Sequence, residues 1–327
     1  MARIGHGFHL RRHLGRIRRA ATRAIKKASR KRVYVKAREA VLSGLGRPSF
    51  DPFPDLAPNP ERRARNLERP AATRGYAIIF TPRSGSSRLE EILACAGTLS
   101  QPEEVFNPEF VPAIARAWDA GDMETYIAML RRFRNASGLF GFEATWMHVA
   151  RCFGSADRFQ AAVAPDAWIW LIREDIVEQA VSISRMVQTR IAHNLPQVEP
   201  GQLAEAEARF AYSGTDIAAR ILAMRGLERG SEAMFDRLGA RPLRLSYERV
   251  IGMEPARVTA LIAAHVGATL PEGVAFESGH AKLGTDKNVE FALRFRKENR
   301  VFMRRIANAR APLLAALDGA PDRAPGD

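Results

Sequence analysis

The sequence is poor in cysteine and has no long apolar run. Its 327 residues include two cysteines, Cys95 and Cys152, which excludes a disulfide-stapled scaffold and a cysteine-rich zinc site. No window approaches the roughly 18 consecutive apolar residues of a membrane-spanning helix. Apolar residues make up 46% of the chain and charged residues 26%, which is typical of globular proteins. The length is sufficient for one large α/β domain or two small ones.

The net positive charge of +14 lies in the N-terminal segment. Residues 1–48 contain 15 of the 50 Lys and Arg residues and one acidic residue, Glu39, so the other 279 residues hold equal numbers of basic and acidic groups. Because the body of the chain is neutral overall, the charge does not indicate a nucleic-acid-binding fold, and nucleic acid is not an expected partner.

The basic segment has apolar residues at helical spacing. Leu10, Leu14, Ile17 and Ala21 fall three or four residues apart, which predicts a basic amphipathic helix within residues 1–48. Such a helix can lie on an anionic membrane surface. The alternatives are a solvated tail without a specific partner and an organelle transit peptide. We expect a cytoplasmic protein, with peripheral attachment to the cytoplasmic face of a membrane as a hypothesis.

Composition divides the rest of the chain. Five prolines within residues 48–60 disfavour regular structure there, which predicts a Pro-rich linker over 49–73. Strand-like and helix-like patterns then alternate, so we predict one domain over 74–310 and a flexible C-terminus over 311–327.

Four apolar runs of strand length alternate with helical patterns. They cover residues 76–81, 139–143, 168–173 and 241–246. This alternation predicts an α/β fold with a mostly parallel central sheet flanked by helices, and a ligand site at the carboxyl ends of its strands.

The first predicted strand runs into a loop of small residues with the sequence T-P-R-S-G-S-S, residues 81–87, and a helix follows. A turn of this kind presents backbone N–H groups and a helix N-terminus, which together bind phosphate. Ser84, Ser86 and Ser87 add hydroxyl donors, and Arg83 adds a positive charge. The loop lacks the Lys and spacing of the Walker pattern and does not match G-x-G-x-x-G. It therefore indicates a phosphate-containing ligand that takes part in a group transfer without Mg²⁺.

Two further segments carry candidate groups. Arg173 ends the third predicted strand and opens the string R-x-D-x-V-x-Q-A-V-S-x-x-R-x-x-Q-T, which contains Ser182. An Arg fork and a hydroxyl suit a doubly charged phosphate. Glu103 and Glu104 stand in the segment S-Q-P-E-E-V-F-N-P, where a carboxylate with a raised pKa could remove a hydroxyl proton.

The three segments resemble PAPS-dependent sulfotransferases, and more closely the bacterial trehalose 2-sulfotransferase-like family, over about residues 74–300. The resemblance implies a P-loop-like sulfotransferase fold, PAPS as donor, PAP as product and no metal. It also implies in-line transfer of the sulfuryl group to a hydroxyl of a carbohydrate or glycolipid acceptor. A homodimer is a further expectation from this family.

The resemblance also implies roles for individual residues. Glu104 matches the proposed general base, and Arg83 would stabilise charge on the departing phosphate. The loop residues that would bind the 5′-phosphosulfate are Arg83, Ser84, Gly85, Ser86 and Ser87. Arg173 and Ser182 match the 3′-phosphate site. Arg294 and Arg296 lie in a segment that resembles the basic one closing over the nucleotide, with a solvated basic helix as the alternative.

One position departs from the family pattern. Glu143 stands where the family often has Lys in the string G-x-K-x-x-W, which puts any contact made by that Lys in doubt. Two other functions stay open at this point: an ATP-dependent P-loop-like kinase, and a non-catalytic membrane- or nucleic-acid-binding protein that keeps a degenerate nucleotide fold. The sequence does not identify the acceptor.

Overall fold

The computed structural model describes residue 53 and residues 59–191, 200–276 and 285–318. Four parallel strands form one sheet with the order β2-β1-β3-β4. The strands are β1 (Arg74–Phe80), β2 (Leu139–Ala144), β3 (Ala167–Ile172) and β4 (Leu243–Ser246). The predicted α/β fold with a parallel sheet is therefore confirmed, and each predicted strand is present within a few residues.

Thirteen helices of the described residues surround this sheet. In chain order they are α1 (Pro60–Leu67), α2 (Ser86–Cys95), α3 (Val111–Trp118), α4 (Met123–Phe133), α5 (Trp146–Phe153), α6 (Ala156–Val163), α7 (Ile176–Thr189), α8 (Pro200–Arg209), α9 (Gly214–Leu238), α10 (Tyr247–Gly252), α11 (Pro255–Val266), α12 (Asp286–Glu298) and α13 (Arg300–Asp318). None of them combines the length and apolar character needed to span a bilayer.

Alternation along β1 separates two hydrophobic cores. Ala77 and Ile79 belong to a core that also contains Trp168 and Trp170 of β3. Tyr76, Ile78 and Phe80 point to the other face, where α2 and α11 supply leucine, isoleucine and valine side chains. Since successive strand residues point to opposite faces, a continuous apolar run is what a strand covered on both faces requires.

A third apolar cluster lies among α7, α9 and α12. It includes Ile176, Val181, Ile221, Phe291 and Phe295. This cluster fixes α7, which follows β3, against the two later helices. As a result, apolar side chains in the first turns of α7, such as Ile176 and Val181, pack in one cluster with those of α9 and α12.

The chain order places a ligand site between β1 and β3. The chain leaves β1 for β2 on one side and returns to β3 on the other, so the loops after β1 and β3 diverge and leave a crevice at the carboxyl edge. These two loops carry Arg83 and Arg173.

The predicted boundaries need two corrections. Residues 60–67, which we placed in the linker, form helix α1, with Pro60 at its first turn and the Asn59 side chain accepting from the Arg62 N–H at 3.0 Å. Proline is tolerated at that position because its missing N–H has no helical partner. The predicted flexibility of residues 311–318 is wrong: they complete α13, and Leu313 and Leu317 are buried in the first core.

Several sequence-based predictions lie outside the described residues. The predicted basic helix of residues 1–48, with its proposed membrane contact, is one of them, and the end of the C-terminus beyond residue 318 is another. The proposed homodimer and the cytoplasmic location stay predictions.

Candidate active site

The loop after β1 turns sharply before α2 begins. Arg83 and Gly85 both have positive φ angles, of 64° and 84°, and Gly85 is the N-cap of α2. Ser84 is fully buried, and its hydroxyl has no hydrogen-bond partner among the described residues. A buried hydroxyl without a partner, next to the N-terminus of a helix, is suited to receive an anion.

Gly85 is required by the packing as well as by its backbone angle. A Cβ at this position would lie 2.7 Å from Cδ2 of Tyr247, the first residue of α10. The same tyrosine ring faces Arg173, whose guanidinium carbon lies 4.7 Å from the ring centroid. Tyr247 therefore lies between the loop after β1 and the residue that follows β3.

Gln179 of α7 fastens the loop to the helix that follows β3. Its side-chain nitrogen donates to Thr81 Oγ1 at 2.9 Å and to the Pro82 carbonyl at 2.7 Å, and the residue is fully buried. Gln179 stands in the string that begins at Arg173, but the sequence alone indicates no role for it. The sequence signal that could have pointed to Gln179 is a polar residue at a position where the helical spacing predicts a buried apolar one.

The loop and α7 also meet at two predicted site residues. Arg83 Nε donates to Ser182 Oγ at 3.2 Å. The structure thus brings together a residue predicted for the 5′-phosphosulfate and one predicted for the 3′-phosphate. Ser86 and Ser87 occupy the first turn of α2 beside them.

Arg173 lies at the start of the turn between β3 and α7. Its Nη2 donates to Glu178 at 2.8 Å, and its Nε is buried without a hydrogen-bond partner in the described part of the chain. Asp175 caps α7 by accepting from the N–H groups of Val177 and Glu178. Nε also lies 3.8 Å from Glu248 Oε1, an ion-pair distance beyond hydrogen-bond range, so its N–H remains available to donate to a phosphate oxygen.

Three arginines concentrate positive charge at this edge of the sheet. Burial lowers the pKa of Arg83, and the charges of Arg173 and Arg185 lower it further. Arg185 is itself buried and paired with Glu207 of α8. Arg173 and Arg185 are thus near enough to Arg83 to repel its charge, and an anion beside Arg83 would offset that repulsion.

The two C-terminal candidates differ in their contacts. Arg296 pairs with Asp175, so it lies next to the β3–α7 turn. Arg294 is half-exposed, stacks on Tyr212 at 3.9 Å and donates to Glu298 at 3.1 Å. Its contacts are thus with residues outside the two loops, in contrast to those of Arg296.

The acidic segment crosses the carboxyl end of β2. The Glu103 carbonyl accepts from the Glu143 N–H at 2.9 Å, while the Glu103 side chain pairs with Arg134. Glu104 is half-buried and accepts from the Asn107 amide at 2.9 Å. Burial raises the pKa of the Glu104 carboxyl, and the Asn107 hydrogen bond opposes that shift.

Glu143, the residue that departs from the family pattern, is 1% exposed, and one of its carboxyl oxygens has no partner among the residues described. Burial raises its pKa well above the ordinary value, and the charges of Glu90 and Glu104 add to this, while a hydrogen bond from Ser86 opposes it. The environment thus favours the neutral acid at this position.

The side chain of His148 lies beside Glu104, with 3.9 Å between His148 Nε2 and Glu104 Oε2. Burial lowers the pKa of His148 to about 4, and the charge of Arg151 contributes, so the imidazole is neutral near pH 7. Among the described residues, no three or more His, Cys, Asp or Glu side chains are grouped so that they could hold a metal ion.

Together, the parallel sheet, the small-residue loop before α2 and the Arg residues after β1 and β3 give a P-loop-like α/β domain with a candidate anion site. The family model "Stf0 sulphotransferase" matches residues 75–298, which is more than half of the chain. The chain therefore belongs to the Stf0 sulphotransferase family.

Two curated relatives are similar in sequence. One is a trehalose 2-sulfotransferase of Mycobacterium tuberculosis, 26% identical, with 54% of this chain and 78% of the relative covered. The other is a trehalose 2-sulfotransferase of Mycolicibacterium smegmatis, 27% identical, with 53% and 76% covered. A solved sulfotransferase from Alicyclobacillus acidocaldarius matches with a TM-score of 0.45 and 15% identity, covering 76% of this chain and 97% of that one.

Proposed function

We propose that this chain transfers the sulfuryl group of PAPS to a hydroxyl of a carbohydrate, with trehalose as the first acceptor to test. Membership of the sulphotransferase family supports the reaction class, and the names of two relatives support the acceptor class. The observation that carries the proposal is the contact of Arg83 with Ser182. This contact joins the loop after β1 to the helix after β3. Because the two segments lie side by side, one ligand with two phosphate groups could contact the loop with one group and the helix with the other.

The donor-binding residues fit a nucleotide with two anionic groups. The loop would present to one group the N-terminus of α2 and the buried Ser84 hydroxyl, which has no hydrogen-bond partner within the described ranges. Arg173 and Ser182 would bind the other group: the buried Arg173 Nε makes no hydrogen bond among the described residues and lies 3.8 Å from Glu248, and the Ser182 hydroxyl already contacts Arg83. Bound PAPS would supply an activated sulfuryl group, whose bond to the phosphate oxygen breaks as the acceptor oxygen bonds to sulfur. Arg83 would offset the charge that develops on the departing phosphate.

Glu104 is the residue proposed to take the acceptor proton. A sugar hydroxyl holds its proton tightly, so it needs a nearby base as its oxygen attacks. The raised pKa of Glu104 makes its carboxylate a stronger base. The neighbouring Glu103 is held in an ion pair with Arg134, which leaves Glu104 as the better candidate of the two.

The test is transfer of labelled sulfate from PAPS to trehalose without added metal. We expect product with the wild type and a loss of about 100-fold or more in kcat for Glu104→Gln. Glu103→Gln is the matched control and should keep most of the activity, because the Glu103 carboxylate is already paired with Arg134 and so is not the proposed base. Equal losses in the two variants would contradict the role of Glu104. Product with ATP and Mg²⁺ but not with PAPS would favour a kinase.

A further inference from the structure

A buried arginine near the C-terminus reaches the turn that carries Arg173. Arg310 of α13 is 3% exposed. Its Nη2 donates to the Arg173 carbonyl at 2.6 Å, and its Nη1 donates to the Glu174 carbonyl at 2.5 Å. These partners lie 137 and 136 positions away in the sequence. One side chain therefore holds two successive carbonyl groups of the turn.

The charge of Arg310 is balanced by Glu228 of α9, which is 1% exposed. Arg310 Nε and Nη2 donate to Glu228 Oε1 at 3.0 and 2.8 Å. Each of the three guanidinium nitrogens thus has an acceptor. A buried ion pair by itself adds little stability compared with an apolar pair of the same size. An arginine suits this position because its rigid, planar guanidinium can donate to a carboxylate and to two carbonyls at the same time.

The same turn is held from its other side by Glu248 of α10. Its carboxylate accepts from the Glu174 N–H at 2.9 Å and the Asp175 N–H at 3.2 Å. Glu248 thus fixes N–H groups of the turn, and Arg310 fixes its carbonyls. With both kinds of backbone group held, the Arg173 side chain leaves the backbone in a defined direction.

We propose that Arg310 is a positioning residue of the donor site, which orients Arg173 toward the 3′-phosphate of the nucleotide. The proposal rests on the proposed function. It assigns a ligand-dependent role to a residue that lies outside the loops predicted to bind the donor. Loss of its two carbonyl contacts should weaken ligands that carry a 3′-phosphate and spare those that lack one.

The test compares the affinities of PAP and AMP, which differ by the 3′-phosphate, using calorimetry. In Arg310→Lys the ammonium can pair with Glu228 but cannot reproduce the fork. We expect the ratio of the AMP to the PAP dissociation constant to fall about tenfold. Arg225→Lys is the matched control: Arg225 also pairs with Glu228, but donates to the Ala309 carbonyl at 2.7 Å instead of to the turn. In Arg225→Lys, the ratio of the AMP to the PAP dissociation constant should equal that of the wild type.

The other results separate the two proposals. If both lysine variants lower the melting temperature and neither changes the ratio, Arg310 is only structural and the inference is wrong. If Arg310→Lys does not fold, Arg310→Gln replaces it, since Glu228 keeps its pair with Arg225 while the fork that holds the two carbonyls is lost. An unchanged ratio in that variant would also overturn the inference. A folded wild type that does not bind PAP would instead refute the proposed function.

Discussion

Gly85→Ala tests the packing of the loop against Tyr247. The φ angle of +84° at Gly85 is unfavourable for alanine, at a cost of about 1–2 kcal/mol. The new Cβ would also lie 2.7 and 3.3 Å from two atoms of the Tyr247 ring. Overpacking of this kind costs about 1–3 kcal/mol. We therefore expect the variant to lose about 2–5 kcal/mol in the free energy of unfolding.

Gly97→Ala is the matched control. Gly97 has a φ angle of +68°, and a Cβ there would meet nothing within 4 Å. It should therefore show only the backbone cost of about 1–2 kcal/mol, reduced by the lower entropy of the unfolded alanine chain. The difference between the two variants, about 1–3 kcal/mol, measures the contact with the ring.

Urea unfolding followed by fluorescence gives both free energies. On a Tyr247→Ala background, Gly85→Ala should cost no more than Gly97→Ala, because the clashing ring is gone. The ring also stacks on Arg173, so Gly85→Ala should weaken PAP binding while Gly97→Ala should not. Equal losses for the two glycine variants in the wild-type background would refute the reasoning.

Two other predictions concern buried polar groups of the site. Glu143 has a raised pKa in the folded chain, so its contribution to stability is present below the unfolded pKa of about 4.5 and is lost as the pH rises through the folded pKa. The free energy of unfolding of the wild type, relative to that of Glu143→Gln, should thus fall as the pH rises above about 4.5. If urea unfolding at several pH values gave parallel curves of this free energy for the two proteins, the prediction would be contradicted. Gln179→Leu removes the donor to Thr81 and Pro82 and should weaken PAP binding in calorimetry. Gln188→Leu, on the same helix but bonded to Ala211, should not, and equal weakening would argue against a loop-specific role for Gln179.

Much of the fold could be predicted because its signals are local. The strands are short apolar runs bounded by helical patterns, and Asp175 precedes its helix as a capping residue does. Helix α1 was missed because it buries none of its residues, so it has no apolar stripe to detect. Residues 311–318 were assigned to a flexible end, although Leu313 and Leu317 are spaced as one face of a helix.

The site was only partly predictable for a different reason. Arg83, Arg173 and Ser182 stand in recognisable motifs, but the contacts that support them join distant parts of the chain. Gln179 meets the loop across about 97 positions, and Arg310 meets the β3–α7 turn across 136 and 137. Such contacts depend on how the helices pack on the sheet, which no local pattern specifies.

The neutral state favoured for Glu143 was also out of reach of the sequence. A glutamate in place of a lysine indicates a reversed charge when it is judged by residue type alone. The structure instead buries the carboxyl beside Glu90 and Glu104, and burial penalises the charged form. The change at this position is therefore closer to the loss of a charge than to its reversal.

The most direct test of the account is a calorimetric titration of the full chain with PAP, with AMP as the ligand that lacks the 3′-phosphate and Arg173→Ala as the variant. The account predicts that the wild type binds PAP at micromolar concentration, that AMP binds much more weakly, and that Arg173→Ala removes most of the difference. A folded wild type that does not bind PAP, or an Arg173→Ala variant that keeps the full preference for PAP, would contradict it.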